Sequence, residues 1–473
     1  MQASTPEYWY SRWLFERALA AIYLVAFLAA AQQFVPLLGE HGLEPAGRWV
    51  QAVPFWESPS LFYLLPHDSV FRGCAWLGVG LSVLAFSSLP QQMGGLASAS
   101  VWTTLWLLYL SFVNIGQTFY GFGWETLLCE VGFFAIFAGA SRTAPNTWLL
   151  QIWRWTLFRL MFGAGLIKLR GDPCWRDLTC LNYYFETQPM PNPLSWYFHW
   201  MPHGVHTAGV VVNHLAEVIV PFAYFAPQPF ASIAGLITVL FQGVLIVSGN
   251  LSWLNWLTVV LCIPLVSDRW LAWLPVRPPT DLSTSPAYRK TLYVVAAVVA
   301  LLSIWPVMNM LSSEQLMNAS FEPLHLVNTY GAFGSVTRER YEIVLEGTDE
   351  ANLTDDTLWR EYEFDGKPGD LAWRPPQVAP YHLRLDWLMW FESMAPAPHS
   401  DWFFTLLERL LQGDLDTLNL LRTNPFPNAP PRYIRAQYYR YTFTTPDEHR
   451  MNGLWWNRQR IGTFYGPVSL AGR

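Results

Sequence analysis

The sequence predicts a polytopic α-helical membrane domain of about nine spans, followed by a soluble β-rich, sandwich-like domain with an inserted helix. Three observations predict it. Charge is scarce, at 14% of 473 residues, where an ordinary soluble domain carries roughly 25%. It is also uneven: residues 1–312 hold 28 charged residues and residues 313–473 hold 36. Apolar runs of spanning length recur in the first part, and the last third alternates polar and apolar residues between turn signals. Acids and bases balance in 1–312, so the net charge of −6 belongs wholly to 313–473. The chain divides there into a multi-span membrane domain, 1–312, and a β-rich domain, 313–473. A single water-soluble globule is excluded. So is a nucleic-acid binder, which needs a basic face, and a disordered chain, which lacks this many aromatics.

A spanning helix needs about 20 mostly apolar residues. Leu14–Leu38 is the first candidate, with the uncharged core ALAAIYLVAFLAAA. No small-residue cleavage site follows it and its apolar run is too long for a signal peptide, so it is expected to remain as a span. Further spans are expected at Phe71–Leu89, Ala99–Ile115, Thr118–Ala140, Trp153–Leu169, Thr207–Ala226, Ala231–Ser248, Ser252–Val266 and Thr291–Leu311. The third, fifth and eighth are short enough for one of them to be re-entrant.

Lys and Arg in short loops stay cytoplasmic. With nine spans, Arg12 and Arg17, Arg142 and Arg154, and Arg269, Arg277, Arg289 and Lys290 all fall on that side. Loops 39–70 and 170–206 and the C-terminal domain then lie outside the cytoplasm. That is the endoplasmic reticulum lumen in a eukaryote and the periplasm, across the inner membrane, in a bacterium. Cysteine usage agrees. Cys74, Cys129 and Cys262 sit in expected spans, whereas Cys174 and Cys180 share the outside loop GDPCWRDLTC. A disulfide between them suits an oxidising compartment, with two free thiols as the other reading.

Ionisable groups in a bilayer are costly and need a partner or a task. Converting position to depth gathers Glu125, Glu130, Lys168, Asn213, His214 and Glu217 in the outer half of the membrane, with Asn114, Gln117 and Arg170 nearby. His214 and Glu217, three residues apart, share a helix face. Two readings stay open. One is an ion-paired network that locks helices together. The other is an outward polar cavity, with Lys168, Glu217 and His214 as candidate catalytic groups tuned by burial. Arg159 lies deeper and needs an acid, for which Glu16 is one candidate.

Loop 181–206 contains Pro189, Pro191 and Pro193, which forbid a helix there. Its Trp and Tyr residues fit a membrane-interface belt, with a short surface helix at Leu194–Trp200. His199, His203 and His206 have no Cys or carboxylate ligands nearby, so no metal site is assigned. The chain has no nucleophile elbow, P-loop, dinucleotide-binding glycine motif or H-E-x-x-H. No cofactor is assigned.

In 313–473, the segments 340–347, 358–366, 381–390, 435–445 and 458–466 alternate as half-buried strands do. Residues 401–422 have helical periodicity, with Asp401 as N-cap. Exposed Trp, Tyr and Arg along these strands suit either a protein-binding face or a small all-β core.

Five stretches together resemble the lipase maturation factor family: residues 8–46, GQTFYGFGWETLLCEVGFFA (116–135), LIKLRGDPCWRDLTCLNYYFETQPMPNPLSWY (166–197), NHLAEVIVPF (213–222) and NTYGAFGSVTRERYEIVLEG (328–347). The resemblance implies a polytopic membrane protein, resident in the endoplasmic reticulum in animals, that helps secreted dimeric lipases reach their folded, active form. It also implies a client, a lipase or another exported protein, bound through 313–473, with membrane lipid as the other partner. A weaker similarity links AGLIKL and WRDL (164–178) to vitamin K-dependent carboxylase-like membrane proteins. It implies a membrane enzyme with Lys168 as base. A chaperone-like maturation factor and such an enzyme are the two functional readings.

Overall fold

The computed structural model describes residues 7–470. The first helix, α1 (Trp9–Leu38), is apolar around its circumference over its middle stretch, Ala18–Ala31, as a helix at the middle of a bundle must be. Tyr23 and Phe27 meet the Tyr109 ring edge to face, with centroids 5.8 and 5.5 Å away. Around α1 lie α2 (Asp68–Phe86), α3 (Gly95–Ile115), α4 (Gly123–Ala135) and α5 (Thr147–Arg170). Gly132 on α4 is required by close approach: a Cβ there would lie 1.7 Å from the Tyr23 hydroxyl.

A broken helix follows. α6 (His203–His214) runs into a π-helical turn, Leu215–Ile219, and then a 3₁₀ turn, Val220–Phe225. Pro221 has no N–H to return to the Glu217 carbonyl four residues back, so the regular ladder cannot pass this point. Next come α7 (Phe230–Ser248) and α8 (Leu254–Cys262, extended to Leu265 by a 3₁₀ turn). The bundle ends with α9 (Pro286–Leu302) and α10 (Ile304–Leu311).

Among the described residues, six helices are long and apolar enough to cross a membrane: Trp9–Leu38, Asp68–Phe86, Gly95–Ile115, His203–Phe225, Phe230–Ser248 and Pro286–Leu311. The expected count of nine is therefore not confirmed. The other three segments fall short for physical reasons. The expected span 118–140 is α-helical over only the 13 residues of α4. α5 is long enough, at 24 residues, but carries Arg154, Arg159, Lys168 and Arg170. The span 252–266 is cut short at Pro264.

One end of the bundle is tied by groups from the segments that carry the basic clusters. The Trp9 amide donates to Asp268 (2.6 Å), Arg12 to the Ala138 carbonyl (3.2 Å) and the Tyr288 hydroxyl to the Phe137 carbonyl (2.7 Å). Arg142 pairs with Asp281 at 3.3 Å.

The C-terminal part is a small antiparallel sheet packed against helices. Its strands are β1 (Arg340–Thr348), β2 (Arg360–Glu361), β3 (Tyr433–Phe443) and β4 (Trp456–Val468), in the order β2-β1-β3-β4. The sandwich expectation is corrected: among the described residues there is one sheet, covered by helices rather than by a second sheet. Between β2 and β3 lie α11 (Arg384–Glu392) and α12 (Asp401–Gln412). α12 buries Trp402, Phe403, Leu406, Leu407, Leu410 and Leu411, a stripe with helical spacing. Phe403 meets Phe464 of β4, ring to ring, at 5.5 Å.

Three strand expectations hold, at β1, β3 and β4. Segment 358–366 pairs with β1 over two residues only, with one isolated bridge from Glu363 to Thr423, and 381–390 becomes α11. The helix predicted over 401–422 stops at Gln412. Gly413, with φ 70°, takes the left-handed conformation that closes a helix. Its N-cap position is Ser400 rather than Asp401, which lies in the first turn.

Candidate functional site

The polar residues expected to form one layer are divided among three buried nests. The first joins α5 to the π turn. Lys168 Nζ lies 2.5 and 2.7 Å from the two Glu217 carboxylate oxygens and 3.3 Å from Asn213 Oδ1. Asn213 Nδ2 donates to Glu217 Oε2 at 3.0 Å. Gly165 permits this approach: a Cβ there would sit 2.7 Å from Val218 Cγ2 and 3.0 Å from Glu217 Cβ. His214 points elsewhere, its Nε2 3.0 Å from the Trp175 carbonyl. Trp175 lies between the bonded Cys174 and Cys180 and presents its ring 5.2 Å from Lys168 Nζ.

The second nest answers the question of Arg159. Its partner is Glu130 on α4, not Glu16, which pairs with Arg17 at 3.3 Å. Glu130 also accepts from Thr156 Oγ1 (2.8 Å), the Tyr330 hydroxyl (2.7 Å) and the Asn328 amide (3.0 Å). Arg159 donates in turn to the Asn328 carbonyl. Both charged side chains are fully buried, and the segment after the last membrane helix is stitched onto the bundle here.

The third nest ties α11 to the bundle. Arg384 Nη1 donates to Glu125 Oε1 and to the Phe119 carbonyl, each at 2.7 Å. The Tyr109 hydroxyl donates to the other Glu125 oxygen. The guanidinium lies 3.5 Å above the Tyr120 ring centre. From α1, Gln33 donates to the His382 carbonyl (2.6 Å) and accepts from the Arg384 amide (2.9 Å). Glu125, Glu130 and Lys168 thus each belong to a separate nest, and Arg384, Asn328 and Tyr330 are partners that sequence reasoning missed. A usable signal was present. NTYGAFG (328–334) is an uncharged stretch in a region rich in charge, as a segment buried against the bundle would be.

A further set of ties holds loop 181–206 to the sheet. Arg340 donates to the carbonyls of Glu186 and Pro189, each at 3.0 Å. It is balanced by Glu342, which also pairs with Lys367 at 2.9 Å. The surface helix expected at Leu194–Trp200 forms at Ser195–His199, after a first short helix at Leu181–Thr187, and its Trp196 indole donates to the Thr444 carbonyl (2.8 Å). His203 and His206 both face Asn182 Oδ1, at 2.9 and 2.8 Å. No group of three or more His, Cys, Asp or Glu suited to a metal ion occurs among the described residues.

His382 sits fully buried among the rings of Phe122, Trp124, Trp253 and Trp387, 3.8 Å from Glu125 and near Arg384. Burial pushes its imidazole down to about 4. Between pH 6.5 and about 4 the unfolded chain therefore takes up a proton that the folded chain refuses. Stability contributed by neutral His382 is full above pH 6.5 and falls as pH falls, by about 3 kcal/mol at pH 4. Asp386, raised by burial to about 6, works in the opposite direction. The contribution is therefore read as a difference. In His382→Phe, the drop in unfolding midpoint between pH 7 and about pH 5 is expected to be smaller than in the wild type, followed by tryptophan fluorescence in detergent.

A cavity of about 880 Å³ opens where α5, the π turn, α7 and α8 meet the 315–335 segment and α11. Lys168, Asn213 and Glu217 form part of its wall, as do Trp175, Trp387 and Met317.

Fold and site together define a class: a multi-pass membrane protein whose C-terminal sheet domain is held to the helical bundle by buried ion pairs. The family model described as the lipase maturation factor transmembrane domain matches residues 10–273, and that described as the lipase maturation factor C-terminal domain matches residues 326–466. Lipase maturation factor 1 of Bos taurus is 41% identical over 98% of this chain and 89% of its own length. The Homo sapiens protein of that name is 40% identical over the same shares. Lipase maturation factor 2 of Homo sapiens is 30% identical over 97% of this chain and 82% of its own length. No solved structure matches. The chain belongs to the lipase maturation factor family. These matches lend no support to the carboxylase-like reading of Lys168.

Proposed function

We propose that this chain is a membrane-embedded, chaperone-like maturation factor that assists the folding and assembly of secreted lipases or other exported clients. In this reading residues 1–312 anchor it in the endoplasmic reticulum membrane of a eukaryote or the inner membrane of a bacterium. Residues 313–473 face the client outside the cytoplasm, where the Cys174–Cys180 disulfide is chemically at home. Near-full-length similarity to proteins named lipase maturation factors is the observation that carries the proposal.

The sheet supplies a fitting surface. β4 is a 13-residue outer strand, and outer strands offer unpaired backbone groups to an extended partner. Its middle residues Gln459, Arg460 and Ile461 are exposed. Arg458 and Arg460 on the strand and Pro467 near its end guard against indiscriminate pairing. Lys168, Glu217 and His214 serve the fold in this reading. A carboxylate that holds an ammonium through both oxygens, with both side chains buried, is a structural pair before it is an acid or a base.

Co-expression of the chain with a secreted lipase, in cells lacking their own maturation factor, tests the proposal. Active secreted lipase is expected to appear only when the chain is present. Ile461→Lys with Thr463→Lys is expected to reduce it at least about ten-fold, the effect of losing ~1.4 kcal/mol of client affinity. These exposed positions leave stability within roughly 0.5 kcal/mol. Lipase that is equally active with and without the chain sinks the proposal.

A further inference from the structure

The cavity between bundle and sheet domain has a size and lining that suit a small amphipathic molecule. Its volume of about 880 Å³ falls in the range of small-molecule sites, which run to ~1,000 Å³. Much of its wall is apolar, including Leu160, Met161, Leu245, Leu254 and Met317. Residues of the wall carry buried polar atoms that lack a hydrogen-bond partner among the described residues: the indole N–H of Trp124, the indole N–H of Trp387, the side-chain oxygen of Gln242 and one carboxylate oxygen of Glu392. A buried polar atom without a partner is costly, so two such donors and two acceptors on residues of one cavity wall are a set of contacts prepared for a ligand. The Trp124 and Trp387 rings pack 4.9 Å apart, which places these donors on neighbouring side chains.

Charge decides the head group. Lys168 is neutralised by Glu217 at 2.5 Å, and Asn213 is engaged by both partners. Glu392, a second wall carboxylate, lies 3.4 Å from His399. Among the described residues no unpaired cation on this wall awaits an anion. We infer that the cavity binds a neutral single-chain lipid of the monoacylglycerol class. Its acyl chain lies along Leu160, Met161 and Leu245. Its ester oxygens accept from the Trp124 and Trp387 indoles, and a hydroxyl donates to Gln242.

The test uses the intact protein purified in mild detergent, with a palmitoyl monoacylglycerol bearing a photoactivatable diazirine in the chain. Adducts are expected on peptides of α5, α7 and the 315–335 segment, and unlabelled monoacylglycerol is expected to suppress them. Met317→Trp places bulk in the cavity at a half-exposed residue and is expected to cut these adducts at least about ten-fold with an unchanged unfolding midpoint. Gln242→Leu keeps the shape and removes the acceptor. It is expected to weaken competition by the unlabelled lipid by about ten-fold. Adducts confined to outward faces of α2 and α9 overturn the inference. So does labelling undiminished in both variants, or a fatty-acid anion that competes better than the neutral lipid.

Discussion

Replacing Glu130 with leucine is expected to destabilise the protein by about 3–5 kcal/mol, the usual consequence of leaving a buried charge without its partner. Glu130 receives donors from Arg159, Thr156, Tyr330 and the Asn328 backbone, so the substitution strands several polar groups at once. Arg159 is fully buried and keeps only secondary acceptors such as the Asn328 carbonyl. The double variant Glu130→Leu/Arg159→Met removes both charges. It is expected to recover a large part of the loss, because apolar replacement of a whole buried pair is often neutral. Thermal unfolding in detergent, with wild type, both single variants and the double compared, reads the coupling directly. Additive losses would mean that the two residues do not act as a pair.

The second large effect is expected at Arg384. Arg384→Met leaves Glu125 buried with Tyr109 as its remaining close donor and removes the cation that covers the Tyr120 ring. A loss of about 3–5 kcal/mol is again expected, but its location differs. The damage falls on the seam between α11 and the bundle, so the sheet domain is expected to loosen before the helices do. Limited proteolysis reads this: cleavage between residues 369 and 380 is expected to quicken while fragments of the bundle stay protected. Simultaneous release of both parts would contradict a local seam.

These effects show what the sequence made legible. Long uncharged runs identified the apolar helices, because spanning length and apolarity are local properties. α5 was harder to place. It reads as a span, yet its Arg154, Arg159 and Lys168 are buried inside protein. Glu125, Glu130, Arg159, Lys168, Asn213 and Glu217 were legible as residues but not as pairs, and Arg384, Asn328 and Tyr330 were not legible at all. Arg384 and Glu125 are 259 positions apart, and Asn328 and Glu130 are 198 apart. No local pattern encodes such a match. Segment 381–390 alternates like a strand, but α11 buries Arg384, Leu385, Asp386, Trp387, Leu388 and Met389 in succession. Burial on every side removes the amphipathic stripe by which a helix is recognised. The one-sheet architecture escaped for a related reason. Phe403 covers the sheet from α12 by packing on Phe464 of β4, and alternation in a strand does not say whether a helix or a second sheet will face it.

The π turn and its neighbours form one arrangement. Pro221 breaks the ladder, Gly165 lets α5 approach, and Glu217 then meets Lys168 beside the cavity. Such turns are frequent at functional sites, so the pair is where the structural and chemical accounts of this protein diverge most sharply. In the structural account, what matters is that the two side chains are buried and matched.

The most direct measurement is secreted lipase activity supported by Lys168→Met/Glu217→Met, with the amount of folded variant in the membrane measured alongside. Lipase activity close to that supported by the wild type is expected, since both charges leave together and no chemistry is asked of them. A folded, normally abundant double variant that supports no active lipase would contradict it.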